Sequence, residues 1–163
     1  MTLNIRTLVG NGIVAALYIA VSAVVQPFGF TNVQFRISEM FNHLIVFNKN
    51  YFYGIVLGVF LTNLFFSPLV AFDLVFGVGH TVISLLITIS AGRYFKNKLG
   101  LMTVNTVVFT FNMFIIALEL KLAFNLPFLF TWLTTAAGEL IVLAVGIPIM
   151  YAIHKRINLE KLV

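Results

Sequence analysis

The sequence predicts an all-α integral membrane protein: six transmembrane helices in one domain over residues 1–163, with both termini cytoplasmic. Three observations lead there. Hydrophobic residues make up 61% of the chain and charged residues 9%, against the roughly half-apolar usage of soluble domains. Mean hydropathy is +1.06, and a spanning helix takes about 20 apolar residues, so about five or six crossings use up the whole chain and leave no soluble domain. Basic and acidic side chains separate onto opposite ends of these crossings. No cysteine is present, which excludes disulfides, thiolate metal sites and cysteine nucleophiles.

Breaks in hydropathy, Pro, Gly and charge delimit six segments to within about two to four residues. Segment one, about 8–26, ends at "QPFGF". Its opening "MTLNIRTLVG" is basic, but no A-x-A-like cleavage site follows and the apolar run is long enough to span, so it reads as the first helix. Segment two, from about Ser38 to Phe47, is short for a crossing. Either it is tilted and shallow, or the turn Asn48–Asn50 lies inside protein, because unsatisfied backbone in hydrocarbon is very costly. Segment three, about 51–66, is closed by "SPL"; segment four, about 72–93, is opened by Asp73. The turn "GRYFKNKLG" is basic. Segment five is about 101–123, and segment six, about 129–153, carries Pro148 near its far end.

Six crossings put both termini on one side, and the positive-inside rule says which. Arg6, Lys49, Arg93, Lys96, Lys98, Lys155, Arg156 and Lys161 fall at the ends and turns on the N-terminal side, leaving only Arg36 and Lys121 opposite. Eight of the ten basic residues therefore mark that side as cytoplasmic. A basic rim of this kind follows from insertion alone, so the isoelectric point near 9.8 calls for no nucleic acid.

The acids are distributed the other way. Glu39 begins segment two, Asp73 begins segment four, Glu119 lies near the outer end of segment five, and Glu139 lies a few turns inside segment six; only Glu160 is cytoplasmic. Ionisable groups within the membrane cost several kcal/mol unless they face a polar cavity or partner, so they mark functional sites. Residues three, four and seven apart share a helix face. That spacing aligns Arg36, Glu39, Asn42 and His43; Asp73, Gly77, His80 and Ser84; Asn112 and Glu119; and Trp132, Thr135 and Glu139. Together they describe an outward-opening pocket for a flat, polar, hydrogen-bond-donating small molecule, with carboxylates to accept parallel N–H bonds and Trp132 to stack on a ring.

Plainer roles stand beside these. Arg36 and Glu39 would also pair simply to order a loop, and Asp73 would also cap a helix. His43 and His80 fit satisfied interior histidines, with no spacing that points to a metal. Trp132 fits an interfacial anchor. Glu139, deep in an apolar run, needs a buried partner in any case. In segment one, Gly12, Ala16 and Ala20 recur every four residues, leaving a smooth strip for close helix approach, either to another helix of the bundle or to a partner.

"VQFRISE" after an alanine-rich first helix, "FDLVFG" opening a later one, and "LEL…NLPF…GELIVLAVGIP" towards the end resemble the QueT-type (queuosine precursor) substrate-binding subunits of energy-coupling factor (ECF) transporters. The resemblance covers nearly the whole chain. It implies a six-helix S component in a bacterial cell membrane, which takes a micronutrient from outside and docks on an ECF module of one transmembrane coupling subunit and two ATPases. The family's alanine strip, used for docking, maps onto Ala16 and Ala20, with Gly12 extending it. Arg36 and Glu39 would close over the pocket, and a 7-deazaguanine such as the pre-queuosine base, with its N–H donors and cationic aminomethyl arm, would suit the acids around them.

Other classes leave different traces. A membrane enzyme would need a nucleophile–base pair or a metal set, and neither spacing occurs. No G-x-x-x-x-G-K-[ST] pattern is present, so no cofactor is expected in this chain and any ATP is hydrolysed by partner subunits. The alternatives that remain are an S component for another flat heterocyclic vitamin, or a stand-alone proton-coupled carrier using the same carboxylates as a relay.

Overall fold

The computed structural model describes residues 5–29 and 35–163, and only the backbone of residues 26–29. The middle of the first loop, including Val33 and Gln34 of "VQFRISE", lies outside the described residues. The remainder is helical, with no strand among the described residues. The helices are α1 (Ile5–Gly29), a 3₁₀ helix (Ile37–His43) running straight into α2 (Leu44–Phe47), α3 (Phe52–Phe66), α4 (Val70–Ala91), α5 (Lys98–Asn112), α6 (Phe114–Phe124) and α7 (Phe128–Ile157).

These are the six segments of the sequence, with one internal break. Segment five is α5 and α6, divided at Met113, and together they form one apolar span, Lys98–Phe124. Four spans are long and apolar enough to cross a membrane: Ile5–Val25, Val70–Ala91, Lys98–Phe124 and Phe128–Ile157. Ile37–Phe47 is a shorter apolar helix, and α3 has 15 residues. The ends follow local chemistry. Asn97 caps α5 by accepting from the Leu99 amide at 3.1 Å. Asn125 and Asn158 take the left-handed conformation that ends α6 and α7 (φ 56° and 46°). Asp73 lies in the first turn of α4, but Leu69 holds the capping position and makes no side-chain cap bond, so helix capping is not the role of Asp73.

Packing runs in a ring: α1 on α3, α3 on α4, α4 on α5 and α6, these on α7, α7 on the 3₁₀ helix, and the 3₁₀ helix back on α1. Segment two is therefore an inserted plug as much as a crossing. Ser38, Glu39, Asn42 and His43 are buried, as are all four residues of α2. The turn after it lies at the end of the bundle, with Lys49 exposed and Asn48 and Asn50 partly buried, and is tied to the chain's last residues: Asn48 Nδ2 donates to the carbonyls of Glu160 (3.0 Å) and Val163 (2.8 Å), and Tyr51 Oη donates to that of Leu159 (2.8 Å). Lys98 ties the same corner together, donating to the Val46 carbonyl at 3.2 Å and pairing with Glu160 at 2.9 Å. That contact holds the Glu160 carboxyl below its ordinary range.

Glycines set the closest approaches. A Cβ on Gly54 would lie 2.7 Å from the Asn11 carbonyl oxygen, and one on Gly58 would lie 2.8 Å from the Tyr18 Cβ, so α3 presses its own small-residue edge against α1. Gly146 lets α7 approach Met40 of the 3₁₀ helix, where an added Cβ would meet the Met40 Cβ at 2.9 Å. The strip read from segment one is not part of this packing. Gly12, Ala16 and Ala20 are all exposed, and a Cβ on Gly12 would meet nothing within 4 Å. Accordingly, Gly58→Leu should cost about 1–3 kcal/mol by overpacking α1 against α3, whereas Gly12→Ala should leave stability no lower. Thermal unfolding of the two variants in detergent checks this, and equal midpoints would contradict the packing described.

Candidate functional site

Large apolar side chains cover much of the surface, while many polar and charged ones are buried beside the apolar core. Leu, Ile, Val and Phe side chains such as Leu8, Val75, Phe111, Leu129 and Phe130 are exposed, while Glu39, Asn42, Asn63, His80, Ser84, Glu119 and Glu139 are buried. This partition suits a lipid exterior with polar groups buried inside.

The polar groups gather on Arg36. Its guanidinium lies 3.7 Å from Glu39 Oε1 and 3.8 Å from Asp73 Oδ1, and its Nη2 donates to Asn63 Oδ1 at 2.6 Å. The Asn63 amide group then donates to the backbone carbonyl of Asp73 at 3.0 Å. Gly77 makes room for this, since a Cβ there would fall 2.7 Å from Asn63 Nδ2. Glu39 accepts from Tyr18 Oη at 2.7 Å and from Asn42 Nδ2, while Asp73 accepts from Ser67 Oγ. Ser22 of α1 donates to Ser38 at 2.7 Å and holds the start of the 3₁₀ helix. Arg36 is also in electrostatic reach of Glu119 and Glu139, and Glu139 in reach of Glu39. The pairing of Arg36 with Glu39 is thus present, but within a buried network that also takes in α1, α3 and α4.

The sequence-predicted residues divide accordingly. Arg36, Glu39, Asn42, Asp73, Glu119 and Glu139 converge, and His80 lies within electrostatic reach of Arg36 and Glu39. His80 Nε2 faces the Phe109 carbonyl at 3.2 Å; a carbonyl only accepts, so Nε2 carries the proton and Nδ1 presents a lone pair. Asn112 donates to Ser84 Oγ at 2.9 Å across α4 and α5. Trp132 belongs to another group. Its N–H donates to the Phe111 carbonyl at 3.1 Å, and its ring packs on Phe111, Phe114 and Phe128. His43 is satisfied on both nitrogens, by the Leu143 carbonyl at 2.9 Å and Asn105 Nδ2 at 3.2 Å. Tyr18 and Asn63 were not singled out from the sequence. Asn63 carried a signal, a polar side chain in an apolar run; Tyr18 carried none, because tyrosine is ordinary in such a helix.

The unsatisfied atoms characterise the site. Among the described residues, Asn42 Oδ1, His80 Nδ1, both carboxyl oxygens of Glu119 and Oε1 of Glu139 are buried without a hydrogen-bond partner. All five are acceptors when the carboxyls are ionised, and the Glu119 carboxyl also lies against that of Asp73. Unpaired buried acceptors cost about 1–3 kcal/mol each, so this arrangement is complementary to a molecule that supplies donors. No group of three or more His, Asp or Glu among the described residues is placed to hold a metal ion. A cavity of about 520 Å³ elsewhere, between the N-terminal half of α1 and the end of α7, is lined by Val9, Ile13, Leu17, Met150 and Ile153. Its lining is mainly apolar, with Arg6 and Tyr51 the residues that carry polar groups.

A polar centre among helices of which four are long and apolar enough to cross a membrane is in keeping with a multi-pass membrane protein, the class to which transporters belong. A family model described as "QueT transporter" matches residues 8–155, and the chain belongs to that family. It is similar to the queuosine precursor transporter QueT of Lactococcus lactis subsp. cremoris (strain MG1363), being 33% identical over 160 residues that cover 91% of this chain and 92% of the relative. No solved structure matches. Family and relative are transporters, in keeping with a protein that is not an enzyme.

Arg36 is the group on which the network turns. Arg36→Gln leaves Glu39 and Asp73 buried without their cation, and the loss should be about 3–5 kcal/mol. Thermal unfolding in detergent measures it; a midpoint equal to the parent's would show that the network does not support the fold.

Proposed function

We propose that this chain is the substrate-binding S component of an ECF-type importer in a bacterial cell membrane, and that it takes up a queuosine precursor of the 7-deazaguanine type. The observation that carries the ligand class is the set of five unpartnered acceptors around Arg36. A 7-deazaguanine presents adjacent ring N–H and amino donors, which a carboxylate accepts as a parallel pair. The relative's name agrees, since it refers to a queuosine precursor. ATP hydrolysis falls to the two ATPases of the module, as this chain has no phosphate-binding loop of the Walker type.

Docking to the coupling subunit uses Gly12, Ala16 and Ala20. The strip faces away from the bundle, so internal packing does not account for it. In lipid, helix association depends on close van der Waals approach, which small side chains permit. Ala16→Trp should abolish uptake in cells and pull-down of the coupling subunit, while the isolated subunit keeps its affinity for 7-aminomethyl-7-deazaguanine. Normal uptake by this variant, or loss of ligand affinity together with uptake, would refute the docking role. A stand-alone carrier, by contrast, would be driven by a proton gradient with no ATPase bound.

Both termini are cytoplasmic in this reading. Lys49, Arg93, Lys96 and Lys98 line one cavity at the end where Lys98 meets Glu160, and basic ends remain on the cytoplasmic side during insertion. Tyr94, 84% exposed, sits at that end, and the chain has no native cysteine. Tyr94→Cys should react with a membrane-impermeant maleimide only after the cells are opened; labelling of intact cells would invert the topology.

A further inference from the structure

Lys49, Arg93, Lys96 and Lys98 share one cavity of about 470 Å³ where the ends of α2 and α4 meet the start of α5. The positive-inside rule asks only that basic residues lie near the helix ends. Arg6, Lys155, Arg156 and Lys161 meet that rule without lining this cavity, so it does not account for four cations on one concavity. Lys98 is engaged by Glu160 at 2.9 Å and by the Val46 carbonyl at 3.2 Å. Lys49, Arg93 and Lys96 are exposed and pair with no carboxylate among the described residues. The chain has no further acid to offer them. Of its five acidic side chains, Glu39, Asp73, Glu119 and Glu139 are buried around Arg36 and Glu160 is held by Lys98.

The rest of the lining is largely apolar, with Ile45, Val46, Ile89, Phe95 and Leu101. The turn that carries Arg93 and Lys96 joins two membrane-length spans, Val70–Ala91 and Lys98–Phe124, which puts it at the depth of lipid headgroups. Tyr94 and Phe95 of the same turn are 84% and 47% exposed, and exposed aromatic side chains at the ends of spanning helices sit at that level. The complement of such a cavity is an amphipathic anion; inorganic phosphate or an acidic peptide would match the cations and leave the apolar wall unused. We propose that the cavity binds the phosphate of an anionic phospholipid: Arg93 forks onto the phosphate oxygens, Lys49 and Lys96 add point charges, and the first acyl carbons lie against Ile89 and Phe95. This rests on the membrane-spanning reading alone and is independent of the proposed solute and coupling subunit; topology decides only which leaflet supplies the lipid.

The test is native mass spectrometry of the purified full chain in a neutral detergent, titrated with dioleoyl-phosphatidylglycerol, dioleoyl-phosphatidylcholine or inorganic phosphate. The parent should retain phosphatidylglycerol about 10-fold or more better than phosphatidylcholine, which has the same chains and phosphate but carries its own cation. Arg93→Gln with Lys96→Gln should bring that ratio down to about 2-fold or less, whereas Lys155→Gln with Arg156→Gln, an equal loss of charge outside the cavity, should leave it unchanged. An unfolding midpoint equal to the parent's without added lipid shows that each variant is folded; should the first pair fail this, Lys49→Gln replaces it, with a fall of about 3-fold or more expected. Equal retention of the two lipids by the parent, or an equal fall in both double variants, would overturn the site. Displacement of phosphatidylglycerol by millimolar inorganic phosphate would reassign the cavity to the free anion and overturn the lipid. If phosphatidylglycerol is not retained while the parent, but not Arg93→Gln with Lys96→Gln, pulls down an ATPase or coupling subunit, the cavity belongs to a protein partner and the proposal falls.

Discussion

Everything else in the structure depends on where the Arg36 guanidinium can be put. A guanidinium stays charged in any protein environment, so burying it commits the chain to bringing acceptors to it. The acceptors come from three places: Glu39 on the 3₁₀ helix that Arg36 leads into, Asn63 on α3 and Asp73 on α4. Satisfying them fixes the insertion of Ile37–Phe47 into the ring, the approach of α3 to α4 over Gly77, and through Tyr18 and Ser22 the position of α1. No single contact here is worth much alone against its desolvation cost. Their joint geometry specifies one arrangement of four elements, because each alternative strands a charge.

Most of the fold was legible in the sequence because hydropathy and charge are properties of single residues in a lipid setting. The six segments and the shortness of the second followed from counting apolar runs, whereas accounting for backbone hydrogen bonds left two placements open for the turn at Asn48. The break at Met113 was not legible, since the run from Lys98 to Phe124 is apolar on both sides of it. Nor was the α1–α3 seam, because "GIVLGV" gives no sign of which helix Gly54 and Gly58 will meet.

At the site, the acids were found because each is anomalous in an apolar helix. Their partners are less anomalous and were found unevenly. Trp132 shows the limit of spacing arguments. It shares a helical face with Glu139, yet three phenylalanines from α5, α6 and α7 surround it and a backbone carbonyl takes its N–H. Periodicity predicts which residues share a face; it does not predict which neighbour claims them first.

The two ends of the molecule are built on different terms, and the difference is physical as well as functional. Around Arg36, acceptors among the described residues are left without donors, at a cost in stability. At the other end, the C-terminal residues are drawn in under the bundle: Leu159 is buried, Tyr51 and Asn48 bond the tail, and Phe47 stacks on His154 with ring centroids 4.3 Å apart. Aliphatic core residues such as Ile55, Met102, Leu143 and Met150 extend that region. Stability concentrated there lets the polar centre remain incomplete without loosening the helices that frame it. A centre whose acceptors were all paired would be more stable, so the incompleteness there is a cost that the packing at the other end has to offset.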